Sequence, residues 1–271
     1  RLAIHSPPRS GSTWLGSIFD SHPDVVYKYQ PLFSYAFKDR LGPNSSSKEI
    51  REFFREILET EGDFIDQTEA KENGVVPDFE TSGCEAIVYK EVRYHHILRN
   101  LLVADTDLKV VGLIRNPIST IYSWLNAPKE FEDWWDPLEE WRYAPSKNQG
   151  RPEEFNGYEK WKEVAFLFLE LQERYEDRFF LLTYESFNAT PKAVARKLFS
   201  FAGLSWQKQT EEFLEESTST SVDAPYGVFR EKPQNYRHTD SIHPDIKKAI
   251  LSDPEFQALL KRYSWNADRL Q

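Results

Sequence analysis

His5-Ser6-Pro7-Pro8-Arg9-Ser10-Gly11-Ser12-Thr13-Trp14-Leu15 lies between a short apolar run, Leu2 to His5, that reads as a strand and a stretch, Thr13 to Ser21, that reads as an amphipathic helix. Strand-loop-helix segments of this kind cradle anions. Successive backbone N–H groups turn toward the charge, short hydroxyls add donors, and the positive end of the helix dipole favours the bound state. Gly11 lets the backbone approach a ligand closely. In the nucleoside-triphosphatase P-loop four residues separate two glycines and a lysine follows the second; here the cation, Arg9, precedes a lone glycine. That order argues against an ordinary ATPase. Taken alone, a turn capped by Ser10 or Ser12 at a helix start would look the same.

A second stretch raises the specificity. Leu108 to Ile114 reads as a buried strand and runs directly into Arg115-Asn116-Pro117-Ile118-Ser119-Thr120-Ile121-Tyr122-Ser123. Pro117 suits the first turn of a helix, so Arg115 stands at the strand's C-terminal end and Ser123 about two turns along. Ligands bind at such strand ends in open α/β sheets. Two anion sites in one chain point to a ligand with two separated anionic groups.

Further strands are expected at Ala86 to Tyr89 and Phe179 to Thr183. Helices are expected at Lys48 to Glu59, Tyr94 to Val103, Pro117 to Leu125, Glu153 to Tyr175, Pro191 to Ala202, Gln207 to Glu216 and Pro244 to Tyr263. Strands alternating with helices imply an α/β fold with a central parallel sheet and helices on both faces. Asp63 to Ser82 and Trp134 to Arg151 read as long loops, which in compact enzymes often cover the active site.

At 271 residues the chain is read as one domain, 1–271, large enough for an ordinary core. Its net charge of −10 argues against broad nucleic-acid or anionic-membrane binding, which calls for a distributed basic surface. A local basic pocket remains compatible. Cys84 is the single cysteine, so an intrachain disulfide and multi-cysteine zinc sites are excluded; it is expected as a small buried side chain. No apolar run approaches a membrane span, and the residues form no metal cluster. Lys160 and Lys162, beside Glu159 and Glu163, read as solvated ion-pair formers on a helix face.

The motifs together resemble the sulfotransferases that use 3′-phosphoadenosine-5′-phosphosulfate (PAPS), and within them the Golgi carbohydrate 6-O-sulfotransferases. Arg9 to Thr13 is similar to that family's 5′-phosphosulfate loop, and Arg115 with Ser123 to its 3′-phosphate motif. His22-Pro23-Asp24-Val25, Lys90-Glu91-Val92-Arg93 and Leu108 to Val111 resemble linking segments of the carbohydrate branch. Tyr184-Glu185-Ser186-Phe187 followed by Pro191-Lys192-Ala193-Val194 resembles a further family element, and Phe229-Arg230 through Tyr236-Arg237 its C-terminal cofactor lid. The resemblance implies a single-domain, P-loop-like sulfotransferase fold and no metal. The sulfuryl group would pass from PAPS to an acceptor hydroxyl, on a small molecule or a glycan, leaving 3′-phosphoadenosine-5′-phosphate (PAP). It implies that Ser10, Gly11, Ser12 and Thr13 hold the 5′ group, with Arg9 against the bridging oxygen. Arg115, Ser123 and Arg230 would grip the 3′-phosphate, Trp14 and Tyr184 would meet the adenine, and Lys90 the sulfonate. The chain begins at Arg1, which reads as a trimmed or processed chain, so a cytoplasmic protein and the lumenal domain of a Golgi-type enzyme are both open.

One position departs from that pattern. The carbohydrate branch usually carries a Glu-Pro pair after the His-Pro-Asp-Val segment, its Glu the expected general base; here the pair is Gln30-Pro31. A carboxamide takes no proton near neutral pH. Either the base lies elsewhere, with Glu91, His95 and His96 as candidates, or the chain is a catalytically impaired cofactor- or glycan-binding protein, or Gln30 is an isosteric replacement. A small-metabolite P-loop kinase is the remaining alternative, and its Gly-Lys-Ser/Thr ending is missing. The interleaved aromatics and acids of Glu130 to Asp136, with Trp141 and Tyr143, suit either sugar stacking or a local hydrophobic cluster.

Overall fold

In the computed structural model, which describes residues 1–220, 227–229 and 239–270, four parallel pairings join five strands: β1 (Leu2–His5), β2 (Val25–Tyr29), β3 (Ala86–Glu91), β4 (Lys109–Ile114) and β5 (Phe179–Thr183). Their order is β2-β3-β1-β4-β5. The connections leaving the neighbouring central strands β1 and β4 run toward opposite sides of the sheet, and the two motifs meet at this boundary. Successive residues alternate between the two faces: Leu2 and Ile4 enter one core, and Ala3 the other; Val111 and Leu113 join the first, Val110 and Ile114 the second. Both faces are covered, which explains the unbroken apolar runs of β1 and β4.

The helices between β1 and β4 are α1 (Ser12–Asp20), α2 (Ser47–Glu59), α3 (Thr68–Glu72) and α4 (Leu98–Ala104). After β4 come α5 (Pro117–Leu125), α6 (Pro137–Tyr143), α7 (Pro145–Asn148) and α8 (Tyr158–Arg174). The chain continues after β5 through α9 (Tyr184–Ala189), α10 (Pro191–Ala202), α11 (Lys208–Ser219), α12 (Pro244–Ser252) and α13 (Pro254–Arg262). A capping box fixes the start of α2, with the Ser46 hydroxyl accepting from the Glu49 N–H and the Glu49 carboxylate accepting from the Ser46 N–H.

Several expected boundaries shift for local reasons. The helix expected from Glu153 begins only at Tyr158, because Gly157 (φ 85) stands against the Arg142 carbonyl, where a Cβ would come within 2.9 Å. The helix expected over Pro244 to Tyr263 is two. Asp253 is extended (ψ 119) before Pro254, and its carboxylate caps α13 by accepting from the Glu255 N–H. The two expected loops contain α3, α6 and α7; the last two each start at a proline in the first helical position. β2 was unread in the sequence although Val25–Tyr29 carries a strand pattern.

Cys84 is exposed rather than buried, just before β3 begins. Lys162 is buried rather than solvated. Its ammonium meets Glu159 at 3.1 Å, Asp253 at 2.8 Å and Glu255 at 2.7 Å, tying α8 to α13. Beside it Trp161, 1% exposed, packs against Phe256 and Trp265 and donates from its indole to the Arg115 carbonyl at 3.0 Å. Trp161→Ala is therefore expected to lower unfolding free energy by about 3–5 kcal/mol, read by urea denaturation. Among the described residues no helix is long and apolar enough to cross a membrane.

Candidate active site

The loop after β1 takes two left-handed residues, Arg9 (φ 66) and Gly11 (φ 92). Gly11 is the N-cap of α1 and no side chain caps that end, which leaves first-turn N–H groups for an anion. The Tyr184 ring presses on the loop: a Cβ at Gly11 would lie 2.7 Å from its Cδ2 and Cε2.

At the neighbouring strand end, Arg115 follows β4 and lays its guanidinium 4.6 Å from the centre of the same Tyr184 ring. Asn116 caps α5 by accepting from the Ser119 N–H at 2.9 Å. Its own N–H and carboxamide donate to Glu185 Oε1 at 3.0 and 2.7 Å, and Glu185 Oε2 accepts from the Trp265 indole at 2.8 Å. Glu185 thus holds the turn that carries Arg115. Ser123, two turns into α5, accepts from Arg9 Nε at 3.2 Å, so the two motifs touch directly.

The two strand ends open on one cleft of about 880 Å³, counting the part continuous with solvent. Arg9, Gly11, Ser12 and Thr13 line it from the first motif, Arg115 and Ser123 from the second. Lys90, Tyr29, Gln30 and Tyr184 also reach it. Trp14 borders it but stacks on Phe187 (4.2 Å between centroids) and spends its N–H on Ser217 Oγ at 3.0 Å. Ser10 is fully buried beneath the loop and does not line the cleft. Arg230 and most of the expected lid lie outside the described residues; of that tract Phe229 is buried against Phe213, and the preceding Gly227 and Val228 border the cleft.

Lys90 and Glu91 leave β3 on opposite faces. Burial pushes Lys90 down to about 7, with its ammonium 4.2 Å from the Tyr29 ring centre. Glu91 is fully buried away from the cleft lining; its Oε1 accepts from the Leu32 N–H at 2.7 Å, and burial pushes it up to about 8. This contact pins the turn in which Gln30 adopts φ 44. A carboxyl that stays protonated in the native state beyond its unfolded range makes the fold lose stability as pH rises from about 4.5 toward 8. Glu91→Gln is expected to shrink the loss of stability between about pH 5 and pH 7, below the range where Lys90 contributes the opposite slope. Urea titrations of both proteins at the two pH values read this directly.

Gln30 is clamped. Its Oε1 accepts from Arg93 Nη1 at 3.2 Å, and Arg93 Nε donates to Glu154 at 3.0 Å. His95 and His96 do not line the cleft. His95 is fully buried, 3.1 Å from His5 between Nδ1 atoms, and burial lowers its basicity; half-buried His96 is parallel to the Phe155 ring. Among the described residues the carboxylate that does line the cleft is Glu130, 3.3 Å from Arg9 Nη1. Sequence reasoning placed it only among the interleaved aromatics. That segment divides: Phe131 is buried against Trp124, whereas Trp134 and Tyr143 are exposed. Among the described residues no group of three or more His, Cys, Asp or Glu side chains is placed to hold a metal ion.

Residues 2–208 match the model of the sulfotransferase family, and the chain belongs to that family. No curated protein sequence matches. Solved structures with the same fold include a sulfotransferase from Alicyclobacillus acidocaldarius (15% identity, TM-score 0.54, covering 99% of this chain and 97% of that one). A mouse sulfotransferase, SULT7A1, complexed with PAP aligns at 14% identity and TM-score 0.51, covering 99% and 85%. Retinol dehydratase in a complex with retinol and PAP aligns at 13% identity and TM-score 0.52, covering 96% and 81%. The five-stranded parallel sheet flanked by helices is therefore the P-loop-like sulfotransferase fold.

Proposed function

We propose that this protein transfers the sulfuryl group of PAPS to an acceptor hydroxyl, on a carbohydrate or another small molecule. The observation that carries the reading is the meeting of the two anion motifs at one cleft, joined by the Arg9–Ser123 hydrogen bond. Two guanidinium cations, Arg9 and Arg115, and the Lys90 amine gather there in a chain of net charge −10, which suits a ligand with two separated anionic groups. PAP complexes of proteins with this fold support the same nucleotide.

In this reading the uncapped start of α1, with the Ser12 and Thr13 hydroxyls, holds the 5′ group, while the Ser10 side chain is buried away from it. Arg115 and Ser123 hold the 3′-phosphate, and Arg230 is assigned there by resemblance alone. Tyr184, fixed between Gly11 and Arg115, offers a ring to the base, with Trp14 packed behind. PAPS supplies the activated sulfuryl group. Arg9 and Lys90 stabilise charge that grows as the sulfur–oxygen bond lengthens, in a site prepared before reaction. Gln30, clamped by Arg93, orients the acceptor side without taking its proton.

Phe33 and Phe64 are both partly exposed and their rings meet at 5.8 Å near Gln30; although Arg93 covers the Phe33 ring at 3.9 Å, the pair supports a sugar acceptor, since aromatic rings stack on the apolar faces of sugars. The test is sulfate transfer from PAPS to a panel of hexosamines, simple alcohols and phenols. Faster transfer to the sugars supports the carbohydrate assignment. Preference for phenols removes it, and no transfer to any of them leaves a cofactor-binding protein.

A further inference from the structure

We infer that Glu130 is the base that receives the acceptor's proton, the task that the Gln30 carboxamide cannot perform. This rests on the sulfotransferase reading above. Glu130 is the one carboxylate among the described residues that lines the cleft. The competing groups are placed elsewhere: Glu91 turns to the far face of β3 with one oxygen bonded to Leu32, and His95 and His96 lie outside the lining.

Its position is also suited to the reacting end of the cleft. The carboxylate is 3.3 Å from Arg9 Nη1, the cation assigned above to the transferring group, and it lines the same cleft as Lys90, Tyr29 and Gln30. The side chain is 24% exposed, so it faces the cleft yet keeps a route for returning the proton to water. Its backbone is held. The Glu130 and Phe131 N–H groups both donate to the Ala127 carbonyl at 2.9 Å, and the Phe131 ring packs edge-on against Trp124 at 5.3 Å. The turn that ends α5 therefore delivers a carboxylate to the same site that the start of α5 supplies with Arg115.

The step balances as follows in atoms. The acceptor oxygen bonds to sulfur while its proton passes to a Glu130 oxygen. The bond from sulfur to the 5′-phosphate oxygen breaks, and its electron pair leaves with PAP. Glu130 then loses the proton to solvent.

Wild type and Glu130→Gln are to be titrated with PAP and assayed for inorganic sulfate release from PAPS in water, and for transfer to excess glycerol. The expected result is PAP affinity retained or raised, since the variant removes a negative charge beside Arg9, and a fall in transfer of about 10²- to 10⁴-fold, with Glu130→Asp recovering part of it. Transfer at the wild-type rate in Glu130→Gln would overturn the assignment. So would a variant that loses PAP binding in proportion to rate, or a wild type that binds PAP yet transfers no faster than the variant. Absence of PAP binding in the wild type is a different failure and removes the sulfotransferase reading itself.

Discussion

Arg115→Ala is expected to weaken PAP binding about 100-fold, on the order of 3 kcal/mol, while AMP binding changes little. The guanidinium is buried at the end of β4 and stacked on Tyr184, so it is oriented before any ligand arrives. Its backbone is held independently, by the Trp161 indole on the Arg115 carbonyl and by Glu185 on the following residue, and truncating the side chain leaves both contacts in place. The nucleotide pair separates the explanations. If Arg115 serves the 3′-phosphate, only the nucleotide carrying that group loses affinity. Equal losses for PAP and AMP would indicate that the strand end had collapsed, and equal retention would remove Arg115 from the site.

Gly11→Ala is expected to abolish transfer and to weaken PAP binding more than about tenfold. Two effects coincide at this residue. A left-handed backbone costs an L side chain about 1–2 kcal/mol, and the new Cβ would stand 2.7 Å from two atoms of the Tyr184 ring. That ring is itself caught between the loop and Arg115, so relief by moving it disturbs both anion motifs at once. Calorimetric titration reads the binding loss. A melting curve lowered by a few degrees shows that the protein still folds. Wild-type affinity in Gly11→Ala would mean that the loop does not need its present shape.

The parts of this arrangement that were legible in the sequence are those fixed by neighbours along the chain. Arg9-Ser10-Gly11-Ser12-Thr13 announces a loop and helix start through its glycine and hydroxyls, and Pro117 places Arg115 at a strand end, because turn and capping chemistry is local. The parallel sheet followed from the alternation of elements. What the sequence withheld depends on packing between distant segments. Lys162 looks solvated beside Glu159 until α13 brings Asp253 and Glu255 over it. Glu130 has no spacing signal that relates it to Arg9, 121 residues away, and its place follows from Phe131 seating on Trp124. Gln30 was visible as an amide. That Arg93 clamps it, so that a carboxylate there would face an ion pair, was not. β2 was hidden because the recognised linking segment, His22 to Val25, stops at its first residue.

Calorimetric titration of the wild-type protein with PAP, ADP and AMP in the absence of metal tests the central claim most directly. The meeting of Arg9 and Arg115 motifs in one cleft predicts tight binding of PAP and much weaker binding of ADP and AMP, because only PAP fills both anion sites. Equal affinity for the three nucleotides, or preference for ADP, would contradict it.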